Sequence, residues 1–185
     1  MKYKKLLPIL FLTLISCNEK ISEKDQLNIE KQAIIDSISA VASSQIFVNV
    51  DNAISEYTKI LEIEKNNLDA LGNRATLLMQ NGRYHKAIID YTDIININEE
   101  NKDFNNTRDK YLLRGICKYN LRDYLGALRD FDQVEKLLYD VDDLYIYRAY
   151  SFLKIGDLNN ACLNFSKAGE RGYTEAYEEI NKYCK

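Results

Sequence analysis

The residues best equipped for chemistry in this chain recur at intervals along it. Arg74, Arg114 and Arg148 occupy corresponding places, and Asp90, Asp130 and Asn164 follow them at one constant interval. A guanidinium and a carboxylate can form two parallel charge-assisted hydrogen bonds, stronger than neutral ones. Such a set has two uses. It could be a ladder of arginines gripping an acidic ligand. It could instead be an internal bond in each unit, pairing Arg74 with Asp90, Arg114 with Asp130 and Arg148 with Asn164. An acid twice and an amide once stand opposite the arginine, so the internal bond is the expected use, with a ligand-gripping ladder as the alternative.

The other reactive types are sparse. The single histidine, His85, lies among Arg83, Tyr84 and Lys86 near the start of a helix, with no nucleophile or carboxylate arranged around it, so no catalytic residue is expected. There is no CxxC and no phosphate-cradling glycine loop, so neither a metal nor a cofactor is expected. Beyond Cys17, three cysteines remain. Cys117 reads as a small buried residue. Cys162 stands where other units carry Ile54, Ile88 and Leu128, facing whatever follows, and Cys184 lies on the apolar stripe of the last helix. In an oxidising compartment the two could bond and pin that helix; two packed thiols are the other outcome, and both stay open.

These residues are positioned by a repeat. An alanine followed four residues later by an aromatic occurs at Ala53/Tyr57, Ala87/Tyr91, Ala127/Phe131 and Ala161/Phe165. Each block reads as two helices around a turn, with Ala75, Gly115 and Ala149 as small residues where the helices cross, since anything larger would overpack there. The period and pattern resemble tetratricopeptide repeats. That resemblance implies an all-α, right-handed solenoid of three to four hairpins plus a capping helix. The units are about residues 34–66, 68–100, 108–141 and 142–172, with the cap at 173–184, inside a domain spanning 29–185. The first unit is degenerate, with Ala40-Val41 and Ser44 at its signature places, and no unit ends in the family's proline. The loop 98–109 carries six extra residues and an exposed-looking Phe104.

The beginning of the chain is of another kind. Lys2, Lys4 and Lys5 precede an apolar run, and Leu14-Ile15-Ser16-Cys17 closes it. This resembles the lipobox of bacterial lipoproteins, which implies cleavage after residue 16, a lipid on Cys17 and a polar tether over 17–28; an ordinary cleaved signal with an incidental Cys is the alternative. The apolar run is too short to span a bilayer. Without residues 1–16 the chain carries 22 basic and 28 acidic residues, net −6, which argues against a nucleic-acid partner. Asn18 in place of an inner-membrane retention Asp favours the outer membrane.

The tetratricopeptide resemblance also places a binding surface on the first helix of each unit. Carried over residue by residue, it implies partner contacts at Thr76, Met79 and Gln80, at Leu112, Ile116, Tyr119 and Asn120, and at Ile146, Tyr150 and Leu153. The Lys and Asn with which some members clamp chain-terminal carboxylates are replaced here by Gly72, Thr76, Leu112, Ile116, Ile146 and Tyr150. What remains is an apolar groove bearing tyrosines, suited to a helix or an extended peptide; packing of these side chains among themselves is the alternative. The expectation is a non-enzymatic lipoprotein scaffold of the bacterial envelope that holds a protein or peptide. A lipoprotein that stacks a glycan or small molecule on its aromatic residues is second.

Overall fold

A computed structural model describes residues 22–137 and 141–184. The leader, Cys17 and the first part of the tether lie outside the described residues. The helices in chain order are α1 (Glu23–Gln45), α2 (Val50–Ile63), α3 (Leu68–Gln80), α4 (Tyr84–Glu100), α5 (Arg108–Asn120), α6 (Tyr124–Lys136), α7 (Asp142–Ile155), α8 (Leu158–Glu170) and α9 (Glu175–Tyr183). The all-α stack of hairpins expected from the repeat is present. The chain divides into a segment up to Ser37 and a body from Ile38 onward. In the segment, residues 23–28, expected from the sequence to be tether, are helical and open α1, and every residue from Ser22 to Glu30 is exposed.

Within the body, α3–α4, α5–α6 and α7–α8 pack as hairpins, α2 lies against α3, and α9 lies against α8. Local sequence sets the helix starts. Side-chain oxygens of Asn49, Asn67, Asp123 and Asp157 accept from the backbone N–H groups of Asn52, Ala70, Gly126 and Asn160, at 3.1, 2.9, 2.9 and 3.1 Å. Caps of this kind stabilise a helix by about 1 kcal/mol each. The turns after first helices need a left-handed residue: Gly82 and Gly156 supply it at φ 70° and 86°, whereas the third unit uses Arg122 at φ 65°.

The core of the second, third and fourth units is a succession of small clusters, one in each. Tyr91, Phe131 and Phe165 are wholly buried at their centres, each stabilising the fold by about 1.5–3 kcal/mol relative to exposure. A β-carbon on Gly115 would come within 2.5 Å of the Phe131 ring, so the crossing in the third unit is closed to any larger residue. Each cluster is completed by the unit that follows: Cys117 of α5 closes the one around Tyr91, Leu144 of α7 the one around Phe131, and Ala176 of α9 the one around Phe165. Stability therefore propagates from neighbour to neighbour, as in a one-dimensional stack. In the degenerate first unit the buried small residue is Ala42; Ala40, Val41 and Ser44 are exposed. The repeat register extrapolated into α1 therefore does not hold.

The arginines serve the stack. Arg74 donates to both carboxylate oxygens of Asp90 at 2.8 and 2.7 Å, and Arg114 to both of Asp130 at 3.0 and 2.8 Å. Each also reaches the preceding unit, Arg74 donating to Thr58 Oγ1 at 3.1 Å and Arg114 to Thr92 Oγ1 at 3.0 Å. Those hydroxyls in turn donate to the carbonyls of Ile54 and Ile88. The pairing of Arg148 with Asn164 must be corrected. Arg148 donates to Asp132 at 3.0 Å and Glu135 at 2.8 Å, both on α6 of the preceding unit, while the Asn164 amide donates to its own helix at the Asn160 carbonyl. The physical reason lies in charge. Asn164 offers no carboxylate, and Asp132 supplies one at the place where the earlier units carry Thr58 and Thr92. The guanidinium follows the charge across the unit boundary.

Cys162 and Cys184 are joined in a disulfide that ties α8 to the end of α9. Cys117 is free and wholly buried.

Candidate functional site

The first helices α5 and α7 of successive units touch directly, so side chains on them share one surface. Two clefts open along it. The first, about 390 Å³, runs between α3 and α5 and is polar. Asp69, Gly72, Asn73 and Thr76 form its α3 side; Asn98, Asn106 and Lys110 form the other. The six-residue insertion builds that second wall. Buried Asn98 donates to the Asn106 carbonyl at 2.9 Å, and Thr107 Oγ1 to the Asp103 carbonyl at 2.7 Å, which fixes the loop from inside. Phe104 in this loop is exposed. Lys110 is paired with Asp109 at 2.5 Å.

The second cleft, about 290 Å³, lies where α5, α7 and the capping segment meet. It is lined by Tyr119, Asp143, Ile146, Tyr147, Tyr150, Tyr173 and Glu175. Tyr119 sits edge-on to Tyr147, ring centres 5.5 Å apart, and is backed by Tyr124 at 5.6 Å. Tyr150 stands edge-on to buried Phe165 at 5.1 Å, so its ring is held by the core beneath. Tyr173 donates its hydroxyl to Asp143, fastening the segment before α9 to the start of α7. Burial raises the phenols of Tyr119, Tyr147 and Tyr150 above their ordinary value, with neighbouring phenols acting on Tyr119, Asp143 on Tyr147, and Glu175, Glu178 and Glu179 on Tyr150. All three remain neutral near pH 7.

The residues proposed from the sequence as partner contacts divide accordingly. Tyr119, Ile146 and Tyr150 come together in the tyrosine cleft, with Ile146, 6% exposed, as its floor. Thr76 lines the polar cleft. Leu112 needs correction: at 7% exposure it is a member of the core cluster around Phe131, and its surface is spent on packing. Ile116, Met79 and Leu153 pack against core clusters and line neither cleft. Gln80 and Asn120 are exposed but line neither, and the Asn120 amide donates to the Ile116 carbonyl of its own helix. The cleft also takes in Tyr147, Tyr173 and Glu175, which the repeat pattern does not single out. Tyr147 falls outside the family's groove positions, and the other two come from the cap, which the repeat pattern does not reach.

The described residues contain no group of three or more His, Cys, Asp or Glu side chains that could hold a metal. His85 is exposed, apart from both clefts. None of the described helices is long and apolar enough to cross a membrane.

Fold and clefts together define a tetratricopeptide-like helical repeat body. A tetratricopeptide repeat family model matches residues 56–89, which centre on α3. No curated protein matches the sequence. Among solved structures, one described as the crystal structure of MamA protein superposes with a TM-score of 0.69 at 20% identity, covering 82% of this chain and 79% of its own. A second MamA structure gives 0.67 at 19% identity, covering 75% and 78%. MamA 41-end from Desulfovibrio magneticus RS-1 gives 0.65 at 12% identity, covering 74% of each chain. At these identities the likeness is one of fold.

Proposed function

We propose that this chain is a non-catalytic scaffold that holds a protein or peptide partner against the face formed by its first helices, centred on the tyrosine cleft. One observation carries the reading: four tyrosines and two carboxylates from three separate segments converge on a single concavity that the neighbouring cores hold in shape. A preformed cleft loses little conformational entropy when it is filled, so contacts made there count towards affinity. The lipobox-like leader supports the rest of the proposal, an attachment through lipidated Cys17 to the bacterial envelope, at the outer membrane.

The partner test uses Asp143→Lys with Glu175→Lys. Both side chains are exposed, so the variant keeps its core while two lysines crowd the cleft. Capture of the partner from detergent-solubilised membranes should be lost with an unchanged helical circular-dichroism spectrum. Undiminished capture would place the binding surface elsewhere. For the anchor, Cys17→Ala should release the chain from membranes; continued membrane association would refute lipidation. A glycan ligand remains the second reading, because tyrosines beside carboxylates also compose sugar subsites. Retention of the chain on cell-wall material, lost in the same double variant, would favour it.

A further inference from the structure

The tyrosine cleft has an uneven electrical character. Asp143 and Glu175 bring two negative charges to its lining, and none of the seven lining residues is Lys, Arg or His. The buried acids of the described residues meet bases of their own: Asp90 has Arg74, and Asp130 has Arg114 and Lys118; nearer the surface, Asp132 has Arg148 and Asp109 has Lys110. Several rings outside the cleft lie beneath cations. Arg114 lies over Tyr111 at 5.2 Å, Arg171 and Lys167 over Tyr145 at 4.8 and 5.2 Å, Arg148 over Phe152 at 5.9 Å, and Lys182 over Tyr183 at 4.7 Å. In the cleft, the ring contacts of Tyr119 are with Tyr147 and Tyr124, and that of Tyr150 is with Phe165. Lys182 is the base of α9 that acts on Tyr150, but its ammonium is directed onto Tyr183.

We infer that this cleft is a receptor for one positively charged side chain, the ammonium of a lysine or the guanidinium of an arginine presented by the partner. This rests on the partner-binding reading above and specifies its chemistry. A cation beside tyrosine rings is drawn to their negative faces, and the attraction strengthens where water is excluded. The two carboxylates supply the complementary charge and hydrogen-bond acceptors. Tyr173 orients one of them, since its hydroxyl donates to Asp143 and so holds the carboxylate at the cleft. Size agrees as well. At about 290 Å³ the cleft sits at the lower end of small-molecule sites, room for one long side chain and not for a folded element. The acidic balance of the whole chain, net −3, draws basic partners to the surface from a distance.

The test titrates the full chain with N-acetyl-lysine amide and N-acetyl-arginine amide, and follows the ring resonances of Tyr119, Tyr147 and Tyr150 by NMR. The neutral Nε-acetyl derivative of the lysine probe and N-acetyl-glutamate amide serve as controls. Both cations should shift all three rings in a saturable way, with at least a fivefold weaker dissociation constant in Asp143→Asn/Glu175→Gln and further weakening by added salt. The neutral and acidic probes should leave the rings unmoved. Equal shifts from the Nε-acetylated probe, or no loss in the Asn/Gln variant, would overturn the cation receptor. The scaffold reading fails separately: there, the Lys/Lys variant retains the partner. If that variant loses the partner while Asn/Gln keeps it at full strength, the cleft is a docking site and its charge is not what selects the occupant.

Discussion

At the scale of single residues, chemically alike ion pairs carry very different weight. Asp130 is almost entirely buried and faces both Arg114 and Lys118, at 2.8 and 2.7 Å. Removing it leaves two cations without their anion in a sparsely solvated place, which costs about 3–5 kcal/mol for a buried pair broken on one side. Asp132 holds Arg148 from the surface, its side chain 49% exposed, and Glu135 shares the load. Exposed pairs contribute about 0.2–1 kcal/mol. Urea unfolding should therefore show Asp130→Ala several kcal/mol less stable and Asp132→Ala within about 1 kcal/mol of the parent; equal losses would refute this division. Cys117 makes a second residue-level prediction. Burial pushes its thiol from an ordinary value of 9.0 up to about 12. The unfolded chain then gives up that proton above pH ~9 while the folded chain keeps it, so this contribution is complete below pH ~9 and is lost as pH rises towards 12. The urea midpoint should fall between about pH 8 and about pH 11, and Cys117→Ala should flatten part of the fall. A slope identical in the two proteins would count against it.

At the scale of elements, the hairpins were readable because their crossing is sterically exacting. Ala75, Gly115 and Ala149 opposite Tyr91, Phe131 and Phe165 leave a periodic trace that survives divergence elsewhere. Arg74–Asp90 and Arg114–Asp130 were readable for the same reason, being bonds within one hairpin. The bond from Arg148 was not, because it crosses to the preceding unit: Asp132 stands at the repeat place of Thr58 and Thr92, and only its charge, where they carry hydroxyls, draws the guanidinium away from its own hairpin. The first unit eluded the pattern too: burial of Ala42 in place of Ala40 and Val41 reflects a 23-residue α1 that does not repeat the register of α3. The capping helix carries the element-scale prediction. The disulfide closes a 22-residue separation, which on the chain-entropy account is worth about 3 kcal/mol. Reductant should lower the melting temperature of the parent and leave Cys184→Ser unaffected. Because Tyr173 and Glu175 belong to the segment so tied, the same variant should also bind its partner more weakly. A parent whose melting ignores reductant would show that the bond does not hold the cap.

At the scale of the whole molecule, the repeats make a surface and the interruptions of the repeat make the clefts in it. The polar cleft is walled by the inserted loop through Asn98 and Asn106, and the tyrosine cleft is completed by the cap through Tyr173 and Glu175. This is why only part of the candidate site was legible beforehand: Tyr119, Ile146 and Tyr150 lie on repeat positions, whereas the residues that turn a groove into a cleft lie where the repeat ends. The proposed role of this protein turns on the tyrosine cleft as the place where its partner docks. The most direct measurement is parallel capture from detergent-solubilised membranes by the parent chain and by Asp143→Lys/Glu175→Lys, quantified by mass spectrometry. One or more proteins should be enriched with the parent and absent with the variant, at equal helical content of the two baits. The same proteins recovered in equal amount with both baits would contradict it.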